Sequence, residues 1–123
     1  MILESGMQDG QKQIHLKNDG AIEYKIKVPN IHSNGTKKYM VQVLVATVHS
    51  NIGSPLLLNV SNAKESSYKI HIPNTGGIWK WTEPAEIQLT STGPFNILNF
   101  YREGFSCHGL SIRQYYFKLI PNL

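Results

Sequence analysis

The chain has 123 residues, a length typical of one domain and sufficient to bury a hydrophobic core. Hydrophobic residues make up 41% of it, and no apolar run approaches the roughly 18 residues of a membrane-spanning helix. The formal net charge is +4, but the basic residues are scattered rather than grouped in the stripe that nucleic-acid binding needs. We therefore expect a single domain, residues 1–123, that is a monomer and binds neither membranes nor nucleic acid.

Alternating apolar residues predict β-strands along most of the chain. Ile22, Tyr24 and Ile26 alternate with charged residues, as in a strand with one buried face. Residues 39–47 are apolar or β-branched at most odd and even positions, which predicts a central strand covered on both faces. Further strands are predicted over residues 56–60, 68–72, 86–89, 95–101 and 112–120. Turn-forming residues separate them and no stretch has a helical apolar period, so the pattern predicts an all-β fold, a β-sandwich or jelly roll.

The sequence carries no recognisable catalytic motif. It contains no G-x-S-x-G nucleophile elbow. Cys107 and His108 are adjacent, and adjacent side chains on a strand point to opposite faces rather than toward each other. The five histidines are spread singly, and no motif marks a pair among the eight carboxylates. The sequence therefore predicts a protein that is not an enzyme, with a small lyase or hydrolase on a jelly roll as an alternative.

The most informative region holds both tryptophans of the chain, Trp79 and Trp81, close to the glycine pair Gly76 and Gly77. Adjacent glycines predict a loop. An exposed indole offers a large, flat apolar surface at low entropic cost, which suits stacking against the C–H face of a sugar ring. The alternative interpretation is that the indoles close the end of the sandwich. We expect at least one of the two to be exposed.

Several segments, together covering nearly the whole chain, resemble the family 6 carbohydrate-binding modules or the related family 35 modules. Residues 2–4 are similar to the acidic first strand of family 6, and residues 20–29 and 38–46 are similar to two later strands. The most specific likeness is Pro-Asn-Thr-Gly-Gly at residues 73–77, which resembles the T-G-G-W loop, followed by Glu-Ile-Gln-Leu at residues 86–89. The resemblance implies a galactose-binding-domain-like β-sandwich that binds polysaccharide or oligosaccharide.

The resemblance also implies where sugar binds. In family 6 the usual site is a cleft among the loops at one end of the sandwich, between an early aromatic residue and a Trp of the T-G-G-W loop, with a late Asn as hydrogen-bond partner. Here Ile78 stands at the first Trp position of that loop, Trp79 is displaced by one, and Trp81 takes the place of the second aromatic. The early aromatic corresponds to His15, and the late Asn position holds Arg113 or Tyr115. The expected carbohydrate-binding residues are Trp81, Trp79, His15, Arg113 and Tyr115.

The resemblance has three further implications. Family members often hold a structural calcium with acidic residues of the first and last strands, and Glu4 is the candidate ligand that this sequence retains. Such modules are attached to secreted glycoside hydrolases, so we expect an extracellular or periplasmic location as part of a larger exported protein, with a parent catalytic domain as partner. Residues 1–5 do not resemble a signal peptide, which leaves a cytoplasmic protein as the alternative to a part of a larger exported one. The alternative function is a sandwich that has lost its sugar cleft and supports a neighbouring catalytic domain.

Overall fold

A computed structural model of the chain describes residues 2–4, 14–16, 21–27, 36–47, 55–61, 65–90, 96–102 and 110–121. Cys107 and His108 lie outside the described residues. Within these ranges there is no helix, and hence none long and apolar enough to cross a membrane. The strands are β1 (Ile2–Glu4), β2 (Ile14–Leu16), β3 (Ala21–Ile26), β4 (Thr36–Ala46), β5 (Leu56–Ser61), β6 (Glu65–Ile70), β7 (Lys80–Trp81), β8 (Ala85–Thr90), β9 (Asn96–Tyr101) and β10 (Leu110–Leu119).

The strands form two antiparallel sheets. The four-stranded sheet has the order β3-β9-β5-β6. In the six-stranded sheet, β10 pairs with β4 on one side and with β1 and β2 on the other, and β4 pairs on its far side with β7 and β8. Both sheets contribute buried side chains to one hydrophobic core. The predicted β-sandwich is therefore confirmed.

Alternation along the strands builds this core. In β4, Val41, Val43 and Val45 are fully buried, whereas the residues between them are half-buried on the opposite side of the sheet, which we call the outer face. Leu56 and Leu58 of β5 are the equivalent buried residues of the four-stranded sheet. Burying each such side chain contributes about 1.5–3 kcal/mol. Register is thereby fixed, because a slip of one residue would expose every one of them.

Most predicted strands are found close to their expected positions. Ile22 and Tyr24 pack against the core and Ile26 is buried in it, as the alternation predicts. The strand predicted over residues 68–72 has the wrong boundaries, because β6 pairs with β5 over Glu65–Ile70 and the chain then crosses to the other sheet. The sequence pattern does not predict β2 and β7, since two or three residues are too few to show an alternation.

A buried asparagine ties the two sheets together. The side-chain oxygen of Asn96 accepts a hydrogen bond from Thr90 N (2.9 Å), and its side-chain nitrogen donates to Thr90 O (2.7 Å) and to Ile26 O (3.4 Å). Thr90 ends β8 in the six-stranded sheet, and Ile26 ends β3 in the four-stranded sheet. Because Asn96 is almost completely buried, its polar atoms depend on these partners rather than on water.

Candidate functional site

The chain crosses from β6 to β7 through residues 71–79, and a pair of buried threonines fixes this crossing to the end of β4. Thr47 N donates a hydrogen bond to Thr75 Oγ1 (2.7 Å), and Thr75 N donates to Thr47 Oγ1 (3.1 Å). Gly77 N donates to Thr47 O at 2.7 Å. The hydroxyl of each threonine thus accepts a hydrogen bond from the backbone nitrogen of the other, and these bonds hold the loop beside the end of β4.

The turn that follows Thr75 requires glycine. Gly76 and Gly77 have φ angles of +63° and +88°, a region that residues with a Cβ seldom adopt. The space around both residues is open, so the requirement lies in the backbone conformation and not in packing. Asn74 Oδ1 accepts a hydrogen bond from Gly76 N (3.3 Å), which supports the turn. The glycine pair that marks the predicted loop therefore forms it.

A third buried threonine fixes the other end of the segment. Val43 N donates to Thr82 Oγ1 (3.0 Å), and Thr82 N donates to Val43 O (2.9 Å). Gln42 Nε2 donates to Thr82 O (3.0 Å). Between the two anchors, β7 pairs Lys80 with Val45 and Trp81 with Leu44. Because both ends are held, a ligand that binds this segment need not immobilise it.

Trp81 lies on the outer face of the six-stranded sheet. Its register partner Leu44 stands between the core residues Val43 and Val45, and so points to the outer face. Trp81 is 41% exposed. Its ring meets that of Tyr116 edge to face, with 6.4 Å between centroids and 68° between planes. The indole therefore has a fixed orientation and still presents a large surface to solvent. This agrees with the expectation that one of the two tryptophans is exposed.

Trp79 is half-buried and belongs to a different pair. The guanidinium carbon of Arg113 lies 4.2 Å from the centroid of a Trp79 ring, the geometry of a cation–π contact. Arg113 sits at an irregularity in β10, where the register with β4 shifts between Ile112 and Gln114. The structure thus brings together two of the expected site residues, but the guanidinium covers one face of the indole.

The expectation that Tyr115 contributes to the rim of the site is wrong. Tyr115 is completely buried, and its ring packs against Phe100 (4.6 Å between centroids) and Tyr24 (5.1 Å) between the two sheets. Burial raises the pKa of the Tyr115 hydroxyl well above its ordinary value, and the nearby Tyr24 hydroxyl adds to this effect. The side chain is part of the core and cannot contact a polysaccharide.

His15 and Glu4 are placed by their backbone register alone. His15 of β2 pairs with Ser111 of β10, and Glu4 of β1 pairs with Gln114. His15 therefore stands in the same sheet as Arg113, at the end where β10 begins. In the described part of the chain no group of three or more His, Cys, Asp or Glu residues could hold a metal ion.

Sequence reasoning misses two residues of the site, Tyr116 and Gln42. Both lie on the outer face, as register partners in β10 and β4, and both are half-buried. Strand parity counted from the core residue Val43 marks Gln42 as outward-facing, whereas in β10 the register shift before Gln114 hides this signal for Tyr116. Trp79, Trp81, Tyr116 and Arg113 together form what we call the aromatic surface.

The sequence matches no protein-family profile and no curated protein sequence. The structure is nevertheless similar to solved carbohydrate-binding modules. A β-1,3-glucan-binding family 6 module from Bacillus halodurans gives a TM-score of 0.61 at 14% identity, covering 96% of this chain and 84% of that one. The C-terminal family 6 module of a marine laminarinase from Zobellia galactanivorans gives 0.55 at 16% identity, covering 95% and 87%. A family 35 module from Clostridium thermocellum gives 0.50 at 16% identity, covering 83% and 72%.

These likenesses extend over most of both chains in each comparison, so they concern the whole sandwich and not one motif. At identities of 14–16% the likeness shows the fold alone and does not identify a ligand for this chain. The chain has the β-sandwich fold of the family 6 and family 35 carbohydrate-binding modules.

Proposed function

We propose that this chain is a non-catalytic carbohydrate-binding module whose ligand stacks on the aromatic surface. The observation that carries the proposal is the exposed Trp81 indole, held on a segment that Thr75 and Thr82 anchor at both ends. A flat apolar ring whose orientation is already fixed can cover the C–H face of a pyranose with little further loss of entropy. The fold shared with known carbohydrate-binding modules supports the same function.

The polar groups beside Trp81 suit a sugar. The side-chain nitrogen of Gln42 donates a hydrogen bond to Thr82 O, which fixes the orientation of the amide. The amide oxygen of Gln42 can then accept a hydrogen bond from a sugar hydroxyl group. Arg113 brings a planar, permanently charged donor to the same part of the sheet. Stacking with few hydrogen bonds predicts weak binding, with a Kd on the order of 0.01–1 mM.

The proposal is tested by titrating the protein with soluble oligosaccharides from β-glucan, xylan, mannan, agar and pectin. Tryptophan fluorescence and calorimetry report binding. We expect a saturable response to at least one series, lost in Trp81→Ala and reduced in Arg113→Ala. Tyr101→Ala is the matched control, because Tyr101 is a half-buried aromatic residue of the other sheet.

Two results would count against the proposed site. Loss of binding in Tyr101→Ala with full binding in Trp81→Ala would move the site to the four-stranded sheet. No response from any glycan, with the fold intact, would argue against carbohydrate binding itself.

The wider role follows the same reasoning. We propose that the module is an accessory domain that holds a glycoside hydrolase near its polysaccharide, outside the cytoplasm. The similar module from Zobellia galactanivorans is part of a laminarinase, which supports this arrangement. The proposal predicts that fusing the chain to a hydrolase raises the enzyme's activity on insoluble polysaccharide more than on soluble fragments. Equal activity on both substrates would contradict it.

A structural calcium with Glu4 as one ligand remains a proposal about stability. The register partner of Glu4 on β10 is Gln114, which is not an acid, so a second carboxylate ligand would come from elsewhere in the chain. If the site exists, EDTA lowers the Tm and added calcium restores it, whereas Glu4→Gln removes the response. A Tm that is the same in EDTA and in calcium would rule the site out.

One observation favours a second function, that of a sandwich supporting a neighbouring catalytic domain. Arg113 covers one face of Trp79, and Ile78 beside it is 59% exposed, so part of the loop presents apolar surface without an open sugar platform. Ile78→Glu distinguishes the two functions. The change leaves glycan binding at Trp81 intact if the chain is a sugar module, whereas it weakens association with a catalytic domain if the loop is an interface.

A further inference from the structure

The aromatic surface consists of two pairs of contacting side chains. Two side chains of β10, Arg113 and Tyr116, each meet a tryptophan from the opposite side of β4. Arg113 lies over Trp79 at 4.2 Å, and Tyr116 meets Trp81 at 6.4 Å between ring centroids. Neighbouring strands are about 4.8 Å apart, so strands β10 and β7 are separated by about 9.6 Å. The Tyr116–Trp81 pair therefore spans the full width of β4.

The two pairs lie at successive levels along the strand. Trp81 is level with Leu44. Tyr116 is level with Gln42, which precedes Leu44 by two residues in β4. Trp79 precedes Trp81 by two residues and lies just before β7 begins. Alternate residues of a strand are about 6.6 Å apart. The Trp81 and Tyr116 rings thus lie on neighbouring rows of the outer face, on opposite sides of β4.

Polar side chains accompany the Trp81 and Tyr116 rings. Gln114 occupies the same row as Trp81 and Leu44, and Gln42 the same row as Tyr116. Each is half-buried and lies on the outer face between or beside the rings. Apolar rings with amide groups in the same rows suit a polysaccharide chain, which presents both C–H faces and hydroxyl groups along its whole length.

From this arrangement we infer that Tyr116, with Gln42 beside it, is a further sugar subsite next to Trp81, and that the surface takes an internal stretch of an extended polysaccharide rather than a chain end. The inference rests on the proposed function and specifies which part of the polysaccharide is bound. A chain lying across an open sheet face has no need of a free terminus, whereas a chain end is selected by a closed pocket.

The test uses oligosaccharides of two to six units from the β-1,3-glucan, xylan, mannan, agar and pectin series, measured by calorimetry. We expect affinity to rise about tenfold from two to four units, because each additional stacked ring adds binding free energy. Reducing the terminal sugar of the six-unit ligand to an alditol should leave its affinity unchanged. Tyr116→Ala should weaken four- to six-unit ligands about tenfold and two-unit ligands little.

Tyr116→Phe keeps the ring and should bind like the wild type. Tyr116→Gln removes the ring but keeps a polar surface residue, so it repeats the test if Tyr116→Ala folds poorly. Affinity that does not depend on length, with full binding in Tyr116→Ala but none in Trp81→Ala, would overturn the inference and leave the proposed function standing. No binding of any series by the folded wild type would overturn both.

Discussion

Thr47 and Thr75 exchange hydrogen bonds between the side chain of each and the backbone of the other, at 2.7 and 3.1 Å. The contact joins residues 28 positions apart in sequence, and both threonines are buried. The loop that leads to the tryptophans is therefore held by hydrogen bonds that are buried away from water.

Removing the Thr75 hydroxyl should destabilise the protein and loosen the loop. Thr75→Val keeps the shape of the side chain but leaves Thr47 N without its acceptor, at a cost of about 1–3 kcal/mol in the free energy of unfolding. Urea denaturation measures the loss. Thr75→Ser, which retains the hydroxyl, is the control and should lose less than half as much. Equal losses in the two variants would show that the methyl group, not the hydrogen bonds, holds the loop.

Asn96 should be a second point of sensitivity. Asn96→Ala leaves two groups of Thr90 and one of Ile26 without their partner, so we expect a loss of about 3 kcal/mol in the free energy of unfolding. Asn99→Ala removes the same side chain from a half-buried position of the same strand and should cost less than about 1 kcal/mol. Thermal denaturation of both variants gives the comparison, and similar costs would mean that Asn96 does not tie the sheets.

The two tryptophans should differ in their access to solvent. In Trp79→Phe the remaining indole, Trp81, is 41% exposed, whereas in Trp81→Phe the remaining indole is half-buried beneath Arg113. Acrylamide should therefore quench the fluorescence of Trp79→Phe more strongly. Adding Arg113→Ala to Trp81→Phe should raise its quenching, because the cover over the ring is gone, while Lys69→Ala, a change on the other sheet, should not. Quenching that ignores Arg113 would argue against the stacked pair.

Much of the fold is predictable from the sequence, but which side chains of the last strand, β10, point into the core is not. Leu110 and Ile112 alternate into the core, and strict alternation would put Arg113 and Tyr115 together on the outer face. The shift of register between Ile112 and Gln114 breaks that parity, so that Tyr115 and Phe117 point inward and Tyr116 outward. Nothing in the residue types of β10 marks this position. Because of this irregularity, the predicted site residue Tyr115 points into the core. Tyr116, which the pattern does not predict, lies on the outer face instead.

The buried Tyr115 also predicts how stability changes at alkaline pH. An unfolded tyrosine titrates near pH 10, and burial raises the pKa of Tyr115 in the folded protein. Above about pH 10 the unfolded state therefore holds fewer protons than the folded state, and the free energy of unfolding falls as pH rises. One such group lowers it by about 1.4 kcal/mol for each pH unit, a loss that is absent below pH 9. Tyr24, whose pKa burial also raises, adds to the same trend.

Tyr115→Phe should remove this part of the pH dependence. The Tyr115 hydroxyl approaches the Tyr24 hydroxyl but makes no hydrogen bond of good geometry among the described residues, so at pH 7 its loss should change stability by less than about 1 kcal/mol. Between pH 10 and 11.5, urea denaturation should show the variant losing stability less steeply than the wild type. Tyr116→Phe makes the same chemical change on the outer face and serves as the control. If Tyr115→Phe keeps the full alkaline loss, other groups must cause it, and the buried phenol at the centre of the sandwich would have no part in the titration.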